Sequence, residues 1–523
     1  MSVFAGNVAA AEAICRPLSG SAEGLEIGEI RIVNKDIFDA QNPDEDSAVH
    51  MMANKLHIQT RSSVIEAQLL FASGQPFNQR LLDESERRLR SKKFIHTADI
   101  DAAQVCDNKV VVVVSTTDNW TLTPSISLGR SGGINRIAYE ISESNLFGYG
   151  KDITLKSTSD EDRDSRLFHY QDDNLFGSQY VVDFITAKNS DGFLDTVSFG
   201  KPFYQLDSTD ALWLELHNEE KQTTSYINGK IVGITGEAIE QFSVEKGWSE
   251  GLVNDRVLRY KLGIQSLKND YFNVANYPAT ALPDGSVKQF PYVGLEYFEN
   301  RFIKRENFNV MGVVEDIAIG NHFSARLGML NQSWGSTYDG LLFEADYSLG
   351  LDLSEDTLAF IDAGVSSEMN RDAEDYNALN LAASWAHYQD HNHSYYVQAE
   401  YQVADNLLPT ERYVIGGETG LRGYPIRYQS GTSKALFSVE KRTYFNWYPW
   451  KIMKFGVAIF ADVGSAWERD ESPDFIRDVG FGLRLVSTRQ SDAKVLHLDF
   501  AYPLDEKDQV DGFQLLLSAK SRF

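Results

Sequence analysis

The sequence predicts an all-β membrane protein, in which one small α/β domain precedes a closed antiparallel transmembrane β-barrel. Three observations support this fold class. From about residue 120 onward, segments of roughly 8–12 residues alternate apolar and polar side chains between turn-forming residues. The pattern persists for about 400 residues, which is too long for one soluble sandwich. The polar side of these segments contains small and charged residues, which suit a wet lumen.

The composition excludes several other classes of protein. No stretch approaches the ~18 consecutive apolar residues of a transmembrane helix. A barrel is compatible with the mean hydropathy of -0.32, because only alternate residues of its strands face lipid. The net charge of -26 argues against nucleic acid and anionic lipid surfaces as primary partners.

Residues 1–25 are interpreted as the remnant of a secretory signal or as a disordered N-terminus. Residues 1–13 are small and weakly apolar and end in Ala-Glu-Ala, which resembles a signal cleavage site without its basic region. Cys15 and Cys106 are the two cysteines of the chain. They form one disulfide in an oxidising compartment or remain two inert thiols, and the absence of metal-ligand spacing slightly favours the disulfide.

Residues 26–117 have the pattern of a small mixed α/β domain. Ser63 and the following Val-Ile-Glu form a capping box that predicts a helix ending at Gly74. Asn78 is the predicted cap of a second helix, with leucines at helical spacing. The order is strand, helix, helix, strand, strand, with strands predicted at 26–33, 95–102 and 109–116.

Residues 118–523 are predicted to form the barrel, and its last strand has the clearest alternation. The strand that closes the barrel contains the candidate residues Phe513, Leu515, Leu517 and Phe523. The sequence Asn-Leu-Phe-Gly occurs at 145–148 and again at 174–177, which predicts two turns at the same end of the barrel. Residues 219–255 and 267–289 alternate poorly and are predicted to include loops.

A glycine-rich segment at 416–425 holds four glycines and Arg422 between two predicted strands. Such a loop allows close backbone approach, and a buried arginine needs carboxylate partners. Glu440 and Asp462 are the candidate partners. The loop lacks the Gly-Lys-Ser/Thr of a phosphate loop, and no arrangement of nucleophile, acid and base is apparent in the sequence. We therefore predict no enzyme activity.

The alternation of the two strands after the loop places both carboxylates in the lumen. Asp462 falls opposite the apolar set of its strand and on the same face as small residues such as Gly464. Glu440 also lies opposite the apolar residues of its own strand. Neighbouring strands are ~5 Å apart, so the five donors of one guanidinium can bridge both acids. The prediction is a lumen latch formed by Arg422, Glu440 and Asp462.

These motifs resemble the BamA/TamA-type outer-membrane barrels of the bacterial surface antigen family. The loop motif comprises Gly420, Leu421, Arg422, Gly423 and Tyr424; the strand motif comprises Phe460, Asp462 and Gly464; and Glu440 matches the acidic residue on the first strand after the loop. Residues 26–117 resemble a POTRA domain. The resemblance implies 16 barrel strands and an arginine loop folded into the lumen. Five strands follow the loop in that family, and five are predicted here, starting near 434, 453, 478, 495 and 512.

The resemblance also implies a function. The protein would reside in the outer membrane of a Gram-negative bacterium, with its N-terminal domain in the periplasm. It would insert or translocate client proteins through a lateral seam between the first and last strands. Implied partners are unfolded client polypeptides at a free edge of the POTRA-like sheet, outer-membrane lipid and lipopolysaccharide, and periplasmic or lipoprotein accessory proteins. No nucleic acid, catalytic residue, metal or cofactor is expected.

Three departures from the family leave an alternative function open. The sequence has one POTRA-like module where the assembly factor of the family has several, a longer segment at 34–60, and more predicted strands before the loop than the eleven of the family. The alternative is an outer-membrane transport pore or a lipid-handling barrel without protein clients. A disulfide that locks the first strand to the last discriminates between them, because it blocks client handling and leaves passive conductance intact.

Overall fold

A computed structural model of the chain divides into two compact units. One unit contains the residues up to Thr121 together with Asn145–Gly150, and the other contains Leu122–Ser144 and the residues from Lys151 onward. The structure describes residues 15–18, 20–131, 134–227, 230–275, 282–371, 373–408, 410–491, 493–505, 510 and 512–520. The described residues include no helix long and apolar enough to cross a membrane.

The first unit is a four-stranded sheet with three helices. Its elements are β1 (Cys15–Pro17), β2 (Glu26–Lys35), α1 (Ala48–Leu56), α2 (Ser62–Glu66), α3 (Gln79–Arg90), β3 (Ile95–Cys106) and β4 (Lys109–Asp118). The sheet order is β1-β3-β4-β2, and β2 pairs with β4 in parallel while the other pairs are antiparallel. The valines of β4 lie in the interior of the sheet, with β3 on one side and β2 on the other, as a strand that is apolar on both faces requires.

The helices of this unit differ in part from the sequence prediction. Asn78 caps α3, since its side chain accepts a hydrogen bond from the Arg80 amide at 3.0 Å. The helix predicted from Ser63 to Gly74 is wrong: α2 ends at Glu66 and has no side-chain cap. The Leu70 amide donates to the Ser85 hydroxyl of α3 at 2.9 Å instead of continuing a helical ladder.

The second unit is a closed barrel with two small sheets outside the barrel ladder. Its first ten strands are β5 (Leu122–Ser131), β6 (Ile134–Glu143), β7 (Lys151–Ser159), β8 (Asp164–Asp172), β9 (Val181–Asn189), β10 (Gly192–Lys201), β11 (Asp210–Ile227), β12 (Lys230–Val253), β13 (Arg256–Asn273) and β14 (Ser286–Glu299). Then follow β15 (Phe302–Glu306), β16 (Val314–Ala318), β17 (Gly320–Leu330), β18 (Gly340–Ser354), β19 (Thr357–Asn370), β20 (Tyr376–Asp390), β21 (His393–Asp405), β22 (Tyr413–Ile415), β23 (Gln429–Gly431), β24 (Ser433–Tyr444), β25 (Met453–Trp467), β26 (Ile476–Ser487), β27 (Val495–Pro503) and β28 (Gln514–Lys520).

Chain order is also the order around the barrel. β15 pairs with β16 and β22 with β23, and the remaining strands pair with their barrel neighbours in antiparallel fashion until β28 meets β5. We call the end at which β5 begins and β28 ends the proximal end, and the opposite end the distal end. The connections of the barrel alternate between these two ends.

The predicted fold class is confirmed, but the sixteen strands implied by the family resemblance are wrong. Within the described residues the barrel ladder contains twenty strands. Five follow the glycine-rich loop as predicted, and the additional strands precede it. The sequence predicts loops in two segments that lie mostly in strands, 219–255 and 267–289. One of these strands, β12, has 24 residues. Their weak alternation follows from polar residues on both faces.

The barrel wall separates apolar from polar side chains as the alternation predicts. In β25, Ile459 faces outward and is 64% exposed, whereas its neighbours Ala458 and Phe460 face the lumen and are buried. In β26, Phe481 and Leu483 face outward, and Arg484 is buried on the lumen side. The outer surface is therefore apolar and the lumen is charged.

Candidate functional site

The arginine loop, which we define as residues 406–432, connects β21 to β24 at the distal end. It contains the β22–β23 hairpin and one 3-10 turn at Gly417–Thr419. Gly416 and Gly420 have φ angles of 127° and 102°, in the region that favours glycine. A Cβ on Gly416 would overlap the carbonyl oxygen of Pro425. These glycines allow the chain to reverse tightly before it enters the lumen.

The structure brings Arg422 together with both predicted carboxylates. Its Nε and Nη2 atoms donate to the two oxygens of Asp462 at 2.8 and 2.9 Å, which is a two-point contact. Its Nη1 donates to Glu440 Oε1 at 2.7 Å. Ser438 adds a hydroxyl that donates to Asp462 at 2.5 Å. All four side chains face the lumen from the loop, β24 and β25, and the arginine is 7% exposed.

Phe460 and Gly464 of the predicted strand motif support the arginine loop. The Phe460 ring lies under the guanidinium, 3.4 Å from its central carbon, and packs against the lumen-facing Ala501 and Leu516. A Cβ on Gly464 would lie 2.6 Å from the side chain of Ile415 in the loop. In the strand motif, the Phe460 ring therefore packs against the guanidinium, and the absence of a side chain at Gly464 leaves space for Ile415 of the loop.

Glu440 lies between two arginines. Its second oxygen accepts a hydrogen bond from Arg442 Nε at 3.0 Å, and Arg442 stacks over the Tyr396 ring at 4.1 Å. Asp499 lies 3.8 Å from Arg422 and binds Arg484 at 2.5 Å. The latch is therefore part of a charge network that extends over β24, β25, β26 and β27. Arg422, Glu440, Asp462, Arg442, Arg484 and Asp499 each have an opposite charge beside them, which offsets part of the cost of their desolvation.

Gly423 and Tyr424 fix the next residues of the loop. The Gly423 amide donates to Asp478 Oδ2 at 2.9 Å, and a Cβ there would lie 2.6 Å from the Asp478 side chain. The Tyr424 hydroxyl donates to the Arg477 carbonyl oxygen at 3.0 Å. Burial raises the pKa of Tyr424 to about 12, so the hydroxyl keeps its proton at neutral pH. Both contacts hold the loop to β26.

The loop also has a small apolar core. Leu421, the second residue of the loop motif, is completely buried and has a positive φ of 59°. It belongs to a cluster with Ile415, Tyr424, Tyr428, Ala466, Ile476 and Val510. The side chain of Leu436 packs against this cluster and closes the space above Gly420.

Electrostatics keep the arginine charged despite its burial. Burial by itself lowers the pKa of Arg422, but the adjacent carboxylates of Asp462 and Glu440 more than reverse this effect and raise its pKa above the usual value. The side chain therefore acts as a fixed cation. It can bind carboxylates, but it cannot take part in proton transfer.

Several members of this network are absent from the sequence predictions, although the same alternation contains the signal. Asp478 lies opposite the apolar set of β26, and Arg442 lies two residues after Glu440 on the same face of β24. Arg427 is a second loop residue that makes a distant contact, with Asp162 in the turn between β7 and β8. No sequence pattern joins those two residues, because they are 265 positions apart.

The junction between the last and first strands has the shortest recorded ladder of the barrel. Within the described residues, β28 and β5 share one partner pair, Leu517 with Arg130. The pairs recorded for β5 with β6 and for β27 with β28 number ten and seven. Phe513 precedes β28 and is exposed, and Leu515 and Leu517 alternate with the buried Leu516. Phe523 lies outside the described residues.

The two cysteines, which are the remaining candidate residues, lie in the first unit. Cys15 and Cys106 are joined by a disulfide that links β1 to the end of β3. The described part of the chain contains no group of three or more His, Cys, Asp or Glu side chains arranged to hold a metal ion.

Part of the chain is similar to a known protein family. Residues 348–520, about a third of the chain, match the model of the Omp85 superfamily domain. The match confirms the family resemblance that the motifs indicate, and it includes the whole arginine loop with β24 and β25. None of the curated proteins matches the sequence.

The solved structures to which the chain is similar include the following three. BamA from Haemophilus ducreyi lacking POTRA domains 1-3 is 11% identical, with a TM-score of 0.42 over 97% of this chain and 89% of that chain. CdiB from Acinetobacter baumannii is 12% identical, with a TM-score of 0.45 over 94% and 74%. CdiB from Escherichia coli is 11% identical, with a TM-score of 0.47 over 97% and 79%.

Proposed function

We propose that this chain is an Omp85-type barrel in the outer membrane of a Gram-negative bacterium, where it inserts client proteins into the membrane or translocates them across it. The proximal end and the N-terminal unit then face the periplasm, and the distal end faces the outside of the cell. The Omp85 domain over residues 348–520 supports this assignment, because it covers the strands and the loop of the latch.

The observation that carries the proposal is the short ladder at the junction of β28 and β5, which we call the seam. Apart from this one pair, residues 123–129 of β5 and 515–520 of β28 have no ladder partner recorded across the junction. Unpaired strand edges are templates for an added strand. A client strand would pair with the exposed edge at the seam and enter the membrane sideways.

The arginine loop spans the seam from inside. Arg422 anchors the loop to β24 and β25, on one side of the seam, and Arg427 anchors it to the β7–β8 turn on the other side. The loop therefore sets the position of the two sides relative to each other. Arg422 is proposed to fix this register and not to drive folding, because buried ion pairs repay little more than their desolvation.

One edge of the N-terminal sheet is already covered. β1 pairs with β3 only at residues 104–106. Further along the same edge, Arg90 donates to the Ala98 carbonyl oxygen at 3.2 Å, and Glu86 accepts from the Ile100 amide at 3.1 Å. Side chains of α3 thus occupy the positions that an added strand would need.

The other edge, on β2, is the proposed site for client polypeptides. Its start is bound by the segment 74–77, and the Asn34 carbonyl oxygen near its end accepts from Gln59. Between them, the outer edge at residues 29–33 has no hydrogen bond recorded among the described residues. An unfolded chain can add there as a further strand.

A seam cross-link tests the proposed function. The variant pairs Arg130→Cys with Leu517→Cys, which lie directly opposite each other. The matched control joins β5 to β6 through Ser127→Cys and Ala138→Cys. Both are made with Cys15→Ser and Cys106→Ser, so that the native cysteines cannot interfere.

The readout is the outer-membrane proteome of cells in which each variant replaces the depleted wild-type protein. We expect the oxidised seam variant to lose client assembly and to recover it on reduction, while the control supports assembly throughout. Full client assembly with the seam locked would refute the lateral route. An unchanged proteome on depletion would favour a transport pore or a lipid-handling barrel.

A further inference from the structure

One proximal connection of the barrel is far longer than its neighbours. The turns between β12 and β13, β18 and β19, and β20 and β21 each consist of two residues. The connection between β14 and β17 consists of residues 300–319 and folds into the β15–β16 hairpin. Short turns are the rule at this end of outer-membrane barrels. A structured insertion here therefore needs a separate explanation.

The tip of this hairpin, residues 307–313, is packed against the inner wall of the barrel. Met311 is 1% exposed and clusters with Tyr444, Ala458, Val486 and Val495, which are lumen-facing side chains of β24, β25, β26 and β27. The Tyr444 hydroxyl donates to the Asn307 carbonyl oxygen at 3.3 Å. The Phe308 ring lies 5.4 Å from the ring of Phe360 in β19, which is three strands along the wall from β24.

The tip is held in one conformation by its own hydrogen bonds. Asn307 has a positive φ of 63°, and its side chain accepts from the Gly312 amide at 2.7 Å. Glu315 Oε2 accepts from the amides of Asn309 and Val310 at 2.7 and 3.3 Å. These bonds provide hydrogen-bond partners for backbone amides in a segment that is withdrawn from water. Asn307 and Met311 are buried and the other residues of the tip are half-buried, so the tip is a fixed element and not a loose turn.

The tip and the arginine loop enclose the same lumenal cavity from opposite ends. The cavity has a volume of about 610 Å³. Phe308 and Asn309 line it from the proximal side, and Arg422 and residues 417–420 line it from the distal side. The two elements contact the same section of wall. The tip contacts Tyr444 and Arg422 of the loop contacts Glu440, and both of these residues belong to β24.

We propose that the tip 307–313 is a second plug, which closes the lumen at the proximal end independently of the arginine loop. A route along the lumen then requires both elements to move. The tip provides its own closure, because an apolar anchor and lumen-facing contacts hold it without any contribution from Arg422. This assignment stands whether or not the barrel handles client proteins, since it concerns passage through the lumen alone.

The experiment measures ion conductance of the purified full chain in planar bilayers. The loop is first shortened by replacing residues 416–428 with a two-residue turn, which can join Ile415 to Gln429 because these are paired. Into this background we introduce Met311→Asp, which places a charge at a buried apolar site and expels the tip. The matched control is Val314→Asp, at an exposed position of the same hairpin.

We expect the loop-shortened barrel and its Val314→Asp variant to conduct poorly, and the Met311→Asp variant to conduct several-fold more. Equal, high conductance of all three would overturn the proposal, because the loop would then be the sole closure. A second measurement uses the unmodified protein. The amides of Asn309 and Val310 should exchange hydrogen slowly, and rapid exchange would show that the tip is not seated.

Discussion

Arg427 forms a two-point ion pair with Asp162, at 2.9 and 2.6 Å, and thereby connects the arginine loop to the turn between β7 and β8. The strands that flank the loop, β21 and β24, and the strands that flank Asp162, β7 and β8, lie on opposite sides of the junction between β28 and β5. Arg422 anchors the same loop to β24 and β25. The loop is thus held at two separated points, and each point can be tested separately.

Asp162→Asn should loosen the outer part of the loop with little effect on the stability of the barrel. Both side chains of the pair are partly exposed, and such pairs contribute at most about 1 kcal/mol. We expect faster hydrogen exchange at residues 425–431 and an unchanged unfolding midpoint in urea. Asp164→Asn, at an exposed position nearby, is the control and should change neither.

The same pair predicts a pH dependence. The hydrogen bond from Arg427 lowers the pKa of Asp162. Because the folded-state pKa of Asp162 is lowered, the contact stabilises the loop fully when the pH is above the ordinary Asp pKa of ~3.9. This stabilisation is lost as the pH falls through the lowered pKa. After correction for intrinsic rates, protection of the loop should be constant between about pH 7 and pH 5. A loss of protection within that range would contradict this assignment.

Arg422→Ala should destabilise the barrel much more than loss of an exposed arginine. It leaves Asp462 buried without its two-point partner, and removing one member of a buried pair costs ~3–5 kcal/mol. The control is Arg477→Ala, because Arg477 is 60% exposed and pairs with Asp505 at the rim. The measurement is the urea midpoint in detergent micelles. Arg422→Lys should recover only part of the loss, because an ammonium cannot make the two-point contact.

Gly423→Ala should displace the loop from β26. The added methyl group would lie 2.6 Å from the side chain of Asp478, next to the hydrogen bond from the Gly423 amide. We expect faster exchange at residues 423–424 and no additional effect in the double variant with Arg422→Ala, since both changes release one element. Gly233→Ala, where a Cβ meets nothing, is the control. Fully additive effects would mean that the two contacts act independently.

Photo-crosslinking can decide which edge of the N-terminal sheet receives client chains. A photoreactive residue in place of Val33, an exposed residue of β2, should capture unfolded outer-membrane proteins. The same residue in place of Asp101, exposed on β3, should capture few, because β1 and side chains of α3 cover that edge. The reverse result would move the proposed client site to β3.

The sequence predicts best where one face of a strand meets lipid and the other meets the lumen. The five strands after the loop have predicted starts within two residues of the observed ones, because β24 to β28 alternate strongly. The same alternation predicts the inward direction of Glu440 and Asp462. Contacts such as Arg427 with Asp162 and Met311 with Tyr444 depend on closure of the barrel, and no local pattern contains them.

Helix α1 shows why the rest of the first unit is harder to predict. Its buried face is contributed by His50, while Val49, Met51, Met52 and Leu56 are exposed. Apolar residues therefore point outward on this helix, which reverses the usual pattern from which a helix is predicted. For this reason no helix is predicted within the longer segment at 34–60, although α1 lies there.

The unequal lengths of the strands give the distal rim an uneven height. Phe193, next to the distal end of β10, pairs with Glu220, and β11 continues for seven more residues, Lys221–Ile227. At about 3.3 Å per residue, this adds roughly 23 Å of strand beyond its neighbour. β11 and β12 together form a wall that rises on one side of the mouth, several strands away from β5. This wall screens the mouth from bulky molecules on the side of β11 and β12.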